Sequence, residues 1–395
     1  MTKDKNFKKF TEFLKKYLHT DFGAALLITA IWKIIMLSVG FLVDSSINGA
    51  VGILSHTIRW DSGWYITVIK DNYVTSAASA AFYPLFPIAV SLVRFISFNT
   101  IDLTTAGQIV NTVSVWFVVA ALIIIGRKFL GNKKRFWLVA LVLSAPTAFF
   151  MHVFYSEALF MALGFWAYIY ALRHKWLYMG IILAILTSAR LPSLLIIGLC
   201  GLEFMRAYDW DFKKILNIKL LYFMLAPVGF IAYGLYLLKV QGDFFAMFHA
   251  YKTTTDWIYQ VFDINFVKTI LRASYETFRA LIGQRAFNTD ILINHAIPII
   301  SLGFLFISSI YLLFQKKNKY IPLGIFGIAS IVMFTLNSNV VSVHRYILPI
   351  LAIYIALALA IKGKYRYTVL ITVCAASLVL QFLLYSLFIG NIFAG

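Results

Sequence analysis

The sequence predicts an all-α fold, a polytopic transmembrane helical bundle, and three observations carry that expectation. Hydrophobic residues make up 61% of the chain and charged residues only 13%, against about 25% charged in an ordinary soluble domain. The apolar runs are long enough for helices that cross roughly 30 Å of hydrocarbon. They lack the alternation of a membrane barrel, whose strands read as segments of about ten residues.

The elements then follow in order. The basic, Phe- and Leu-rich start, 1–21, reads as a cytoplasmic amphipathic segment on the inner leaflet. Apolar segments follow near 22–43, 105–125, 137–154, 156–172, 176–189, 191–204, 220–238, 291–314, 320–337, 346–361 and 367–389. The run 82–98 is short, holds Pro84 and Pro87, and carries Arg94. Counting it as interfacial keeps the five basic residues of 127–136 in the cytoplasm, together with those of 173–175, 316–319 and 362–366. The result is about eleven spans. The stretch 176–204 reads either as one long helix with Arg190 buried or as two short helices divided at Pro192, since proline removes a helix hydrogen bond and disfavours helix at the preceding residue. The division is preferred because it keeps Lys213 and Lys214 inside. Two outer loops are long, 44–104 with its interfacial helices and 239–290. No internal repeat or low-complexity linker is visible, so 1–395 reads as a single transmembrane domain.

Composition excludes several classes of function. The formal net charge of +19 follows the accumulation of Lys and Arg in cytoplasmic connections, so no nucleic acid is expected as a partner. Cys200 and Cys374 lie in apolar runs without a CxxC, which leaves no disulfide framework and no cysteine metal site. The long loop 239–290 holds no HxxxH or DxD pattern, so no metal is expected. No P-loop or dinucleotide fingerprint appears, and no cofactor is expected.

Ten of the 16 acidic residues fall on the outer connections under this topology, which concentrates candidate bases at one surface. Asp61 stands out, flanked by Arg59, Trp60 and Trp64 in "RWDSGWY". A carboxylate at membrane level, walled by indoles, can take a proton from a hydroxyl; the plainer alternative is an interfacial loop anchored by aromatic residues. "FFMHVFYSEALF" brings His152, Tyr155 and Glu157 to an outer corner where Ser156 could cap a helix and Glu157 complement its dipole. Arg190 in "TSARLPS" and Arg345 in "SVHRYILP" are expensive at membrane depth unless paired or bound to an anion, and together could hold a lipid-linked phosphate. Asp243, His249 and Trp257 open the second long loop.

In their order along the chain, "RWDSGWY", "AFYPLFP", "YSEALF", "SAR", "GDFFAMFHA…W" and "HRYILP" resemble one family of membrane glycosyltransferases. It is the family of the second mannosyltransferase of glycosylphosphatidylinositol assembly and its bacterial relatives, in the GT-C class. The resemblance spans roughly 55–350. The corner reads Tyr-Ser-Glu-Ala here where the family often has Tyr-Thr-Glu-Ser, and Leu191-Pro192 follow the Ala-Arg pair.

The resemblance implies a GT-C-like fold and a polyprenyl-phosphate sugar donor used on the non-cytoplasmic side. It places the catalytic Asp at Asp61. The expected reaction is inverting transfer of a hexose, mannose by family habit, to a lipid-linked or cell-surface glycan. Arg59, Trp60, Tyr83, Tyr155, Glu157, Arg190, Asp243, His249, Trp257, His344 and Arg345 are the expected substrate-binding residues. Membrane lipids and other glycan-assembly proteins are the further expected partners, and a bacterial cell membrane the expected location. A transporter or flippase without transferase activity is the competing class. It would show repeat symmetry and charges along a central path, neither of which is visible. A non-catalytic assembly subunit is a third, and it would tolerate loss of Asp61.

Overall fold

The computed structural model describes residues 20–49, 52–253 and 263–395; the expected N-terminal amphipathic segment and Trp257 lie outside them. The described chain is helical. Its helices are α1 (Asp21–Asn48), α2 (Asp61–Asp71), α3 (Leu85–Ile96), α4 (Leu103–Leu130), α5 (Arg135–Leu143), α6 (Glu157–Leu172), α7 (Trp176–Leu186) and α8 (Ser193–Ala207), then α9 (Val228–Gln241), α10 (Ala246–Thr253), α11 (Phe266–Leu281), α12 (Ile297–Leu313), α13 (Ile321–Thr335), α14 (Leu351–Ala360) and α15 (Arg366–Ile389).

Among the described residues, six helical stretches are long and apolar enough to cross a membrane. They are Asp21–Asn48, Leu103–Leu130, Ile218–Gln241, Thr289–Leu313, Asn318–Thr335 and Arg366–Ile389. The other five expected segments form shorter helices, α5 to α8 and α14. The segment expected at 137–154 shows why. Its helix α5 stops at Leu143, three residues before Pro146, and so extends only about 14 Å at 1.5 Å per residue. Side chains from elsewhere take up the carbonyls that the broken helix frees, as a dry interior requires. Gln381 donates to the oxygens of Leu143 and Ala145, and Trp32 donates to that of Leu143. The stretch 176–204 breaks as expected, with α7 ending at Leu186 and α8 starting at Ser193.

Helix α4 is the central pillar. It packs on α1, α3, α5 and α6, and 67% of its most apolar window is buried, against 17% for the peripheral α15. Asp102 caps its start by accepting from the Thr105 N–H at 2.6 Å, and Gly131, at φ 86°, ends it. From Trp116 onward it returns to the start of α1. Arg127 pairs with Asp21, and Trp116 donates to the Phe22 oxygen. The two helices are therefore antiparallel, and α3, about 18 Å long, turns between them without changing ends.

The same end gathers the basic connections. Lys319 donates to the Lys128 oxygen, Tyr320 to that of Phe129, and Trp137 meets Tyr367 edge to face. The opposite end holds the start of α2, the corner 148–156 and the residues after α15.

Candidate functional site

The loop that ends in Arg-Trp-Asp is held from several directions. Arg59 donates through Nη1 to the oxygens of Ser55 and Ile58, through Nε to that of Ile389, and through Nη2 to Asp44 at 2.9 Å. It therefore clamps α1, the loop and the end of α15 together and does not line the cavity described below. Trp60 follows at φ 52°, a backbone region sparsely populated by side-chain-bearing residues. Its ring lies edge-on to Phe393. The unusual turn puts Asp61 at the first position of α2. There its N–H donates to the Tyr155 hydroxyl, which in turn donates to the Arg59 oxygen.

The floor beneath Asp61 is an ionic cluster of two carboxylates and two guanidiniums. Arg345 reaches it from the short turn Val343–Tyr346. It donates through Nη1 to Asp61 Oδ2 at 2.8 Å and through Nε to Glu157 Oε1 at 2.6 Å. Nη1 also donates to the Gly395 oxygen at 3.3 Å. Arg190, in the break between α7 and α8, pairs with the same Glu157 oxygen. Aromatic faces pack on the cations. Phe150, Tyr155 and Tyr346 lie against Arg345, and Tyr346 also meets Arg190, contacts that favour a desolvated guanidinium.

Glu157 opens α6, but Ser156 does not cap that helix with its side chain; its hydroxyl bonds that of Tyr65 instead. Glu157 is thus an ion-pair hub rather than only a partner of the helix dipole, and its Oε2 is buried without a hydrogen bond among the described residues.

Above this floor is a cavity of about 900 Å³, lined by Trp60, Asp61, Trp64, Tyr83, Arg190, Tyr251 and Arg345 among others. Its size is at the upper end of ordinary ligand pockets. Asp61 is the more accessible carboxylate, 22% exposed against 5% for Glu157. Only Oδ2 of Asp61 has a partner among the described residues. Arg345 Nη2 and the Nε and Nη2 atoms of Arg190 likewise carry no hydrogen bond among them. The arrangement offers one open carboxylate oxygen and spare guanidinium donors beside a space walled with aromatic rings.

Other expected residues sit elsewhere. His344 turns away from the cavity, where its Nε2 meets the Ala394 oxygen at 3.0 Å and burial pushes its pKa down to about 4. Asp243 and His249 join each other at 2.6 Å on the exposed surface, and that hydrogen bond holds Asp243 below the usual carboxylate range. Tyr155 is buried under the catalytic candidate rather than facing the cavity. Tyr83 lines the cavity, with its hydroxyl buried and without a partner among the described residues.

Sequence reasoning missed the far wall, where Asp290, Asn294, Asn337 and Asn339 line the same space. Their only signal was polarity beside apolar segments. It also missed a buried polar layer behind the loop. There Lys33 donates to Gln108, Gln108 donates to the His152 oxygen, and His152 Nε2 meets His56 Nε2 at 3.2 Å. Burial pushes the His56 pKa down to about 4. No protein-family model matches the chain, and a search of curated proteins finds no match.

Proposed function

We propose that the protein is a membrane glycosyltransferase of the GT-C class. It would move a hexose, mannose in the first instance, from a polyprenyl-phosphate donor to a lipid-linked or cell-surface glycan. The observation that carries this reading is the position of Asp61, with one carboxylate oxygen open to a large aromatic cavity and the other bonded to Arg345. A base and anion-binding donors then flank one space, as transfer from a lipid phosphate needs.

In the proposed reaction the acceptor hydroxyl gives its proton to Asp61, and its oxygen bonds to the anomeric carbon. The bond from that carbon to the bridging phosphate oxygen breaks, and its electron pair stays on the phosphate. The configuration at carbon inverts. Charge grows on the leaving phosphate, where the spare donors of Arg190 and Arg345 would offset it; fixed donors aimed at developing charge are usually the largest catalytic contribution. Glu157 would hold both arginines apart and oriented. Trp60, Trp64 and Tyr83 would stack on sugar rings.

Under the same proposal the eleven-span topology holds. The basic end of the bundle faces the cytoplasm by the positive-inside tendency, and the cavity opens on the other side of a bacterial cell membrane. The test is transfer by purified protein, offered polyprenyl-phosphate mannose, glucose or galactose with a membrane-lipid extract as acceptor. Product from one donor supports the reading. No product and no donor binding by folded protein would refute it.

A further inference from the structure

Helix α11 lies outside the cavity chemistry, and its surface is divided lengthwise into three stripes. At 3.6 residues per turn, Val267, Leu271, Tyr275, Phe278 and Ile282 recur every three or four residues. The first four are each more than half exposed. Lys268, Arg272 and Arg279 form a second stripe beside the first. Thr269, Ala273 and Ala280 form the third and are buried.

The buried stripe is fastened to the protein. The Thr269 hydroxyl donates to the Asn337 oxygen at 2.8 Å, and Asn337 lines the cavity. The apolar stripe therefore points away from the bundle. The one acid on α11, Glu276, pairs with Arg285 from the following loop, so the basic stripe keeps its charge. With four charged residues among its 16, α11 is too polar to cross a bilayer. An apolar face flanked by basic residues is the pattern of a helix that lies in the headgroup region.

We propose that α11 is an interfacial docking helix that lies on the bilayer, with its apolar stripe among the acyl chains and Lys268, Arg272 and Arg279 binding anionic phospholipid headgroups. The bilayer is the occupant because the long apolar helices require one, and the basic stripe complements an anionic surface. Each basic residue contributes roughly a five-fold preference for the docked state on such a surface. The inference does not depend on transferase activity.

The test uses the full chain in nanodiscs of phosphatidylglycerol or of phosphatidylcholine. A fluorophore is placed at Leu271→Cys or, independently, Phe278→Cys, with Gln284→Cys as an exposed reference. Cys374 is replaced by Ala in all of them, and the fully buried Cys200 is kept. The expected result is quenching of the first two labels by brominated acyl chains in phosphatidylglycerol, with protection from aqueous iodide. Lys268→Gln or Arg272→Gln should lower the docked-to-undocked ratio roughly five-fold. Labels open to iodide, labels shielded from both quenchers, or docking indifferent to lipid charge would each overturn the proposal.

Discussion

Replacing Glu157 by Gln tests the ionic floor directly. Its Oε1 meets both Arg345 and Arg190, and its side chain is 5% exposed while theirs are 4% and 12%. A unit charge pair at 4 Å is worth roughly 4 kcal/mol at an effective dielectric of 20. Removing one partner of a buried pair costs about 3–5 kcal/mol, because the other charge is stranded. Glu157→Gln leaves Arg345 its bond to Asp61 but strands Arg190, so a loss of about 3–5 kcal/mol is expected. Arg190→Met leaves Glu157 paired with Arg345 and should lose about 1.5–3 kcal/mol, the worth of a hydrogen bond to a charged group.

The double variant strands less charge than the sum implies. The two changes should therefore couple by about 1–3 kcal/mol. Unfolding in mixed micelles of rising SDS fraction, followed by tryptophan fluorescence, gives the four free energies. Additivity to within about 0.5 kcal/mol would show that the two side chains do not act as one unit, and the reasoning would fail.

Three further outcomes are expected. Gly229→Ala drives a Cβ into the Ala184 oxygen, where α9 crosses α7; it should destabilise the protein by about 1–3 kcal/mol in the same unfolding assay, and an unchanged midpoint would contradict the close crossing. His56 and His344 have pKa values lowered from 6.5 to about 4, so the unfolded chain binds more protons between those values. Stability is then fully present above about pH 6.5 and falls as pH drops toward 4, by about 3 kcal/mol for each His; a His344→Phe variant with an unchanged pH slope would contradict this. Arg59→Lys keeps the charge but loses the fork that reaches Asp44, Ile389 and Ser55 together. It should lower stability by about 1–3 kcal/mol in that assay, and no loss would remove the clamp.

The sequence made the class of the fold legible, since apolar length is a local property. It also marked the two arginines and Glu157, because charge in an apolar run is conspicuous. It could not pair them. Arg345 lies 284 residues from Asp61 and 188 from Glu157, and only tertiary packing brings them together.

Neighbours in sequence also part company. His344 and Arg345 are adjacent, yet one faces the Ala394 oxygen and the other the cavity floor. Arg59 reads as a substrate ligand beside Asp61, but Asp44 draws its guanidinium away from the cavity. The early end of α5, three residues before Pro146, was not foreseen, since 137–154 reads as one apolar segment. The helix also needed Gln381 and Trp32, from two other helices, to satisfy its freed carbonyls, and no local pattern reveals such partners.

The most direct test of the account is the single-turnover rate of hexose transfer by Asp61→Asn, measured with donor binding. The variant keeps the shape of the side chain and removes the proposed base. The account expects the rate to fall roughly 10²–10⁴-fold, the usual worth of general-base catalysis, while the folded protein still binds the polyprenyl-phosphate hexose. Transfer at the unaltered rate by a folded Asp61→Asn protein would contradict it.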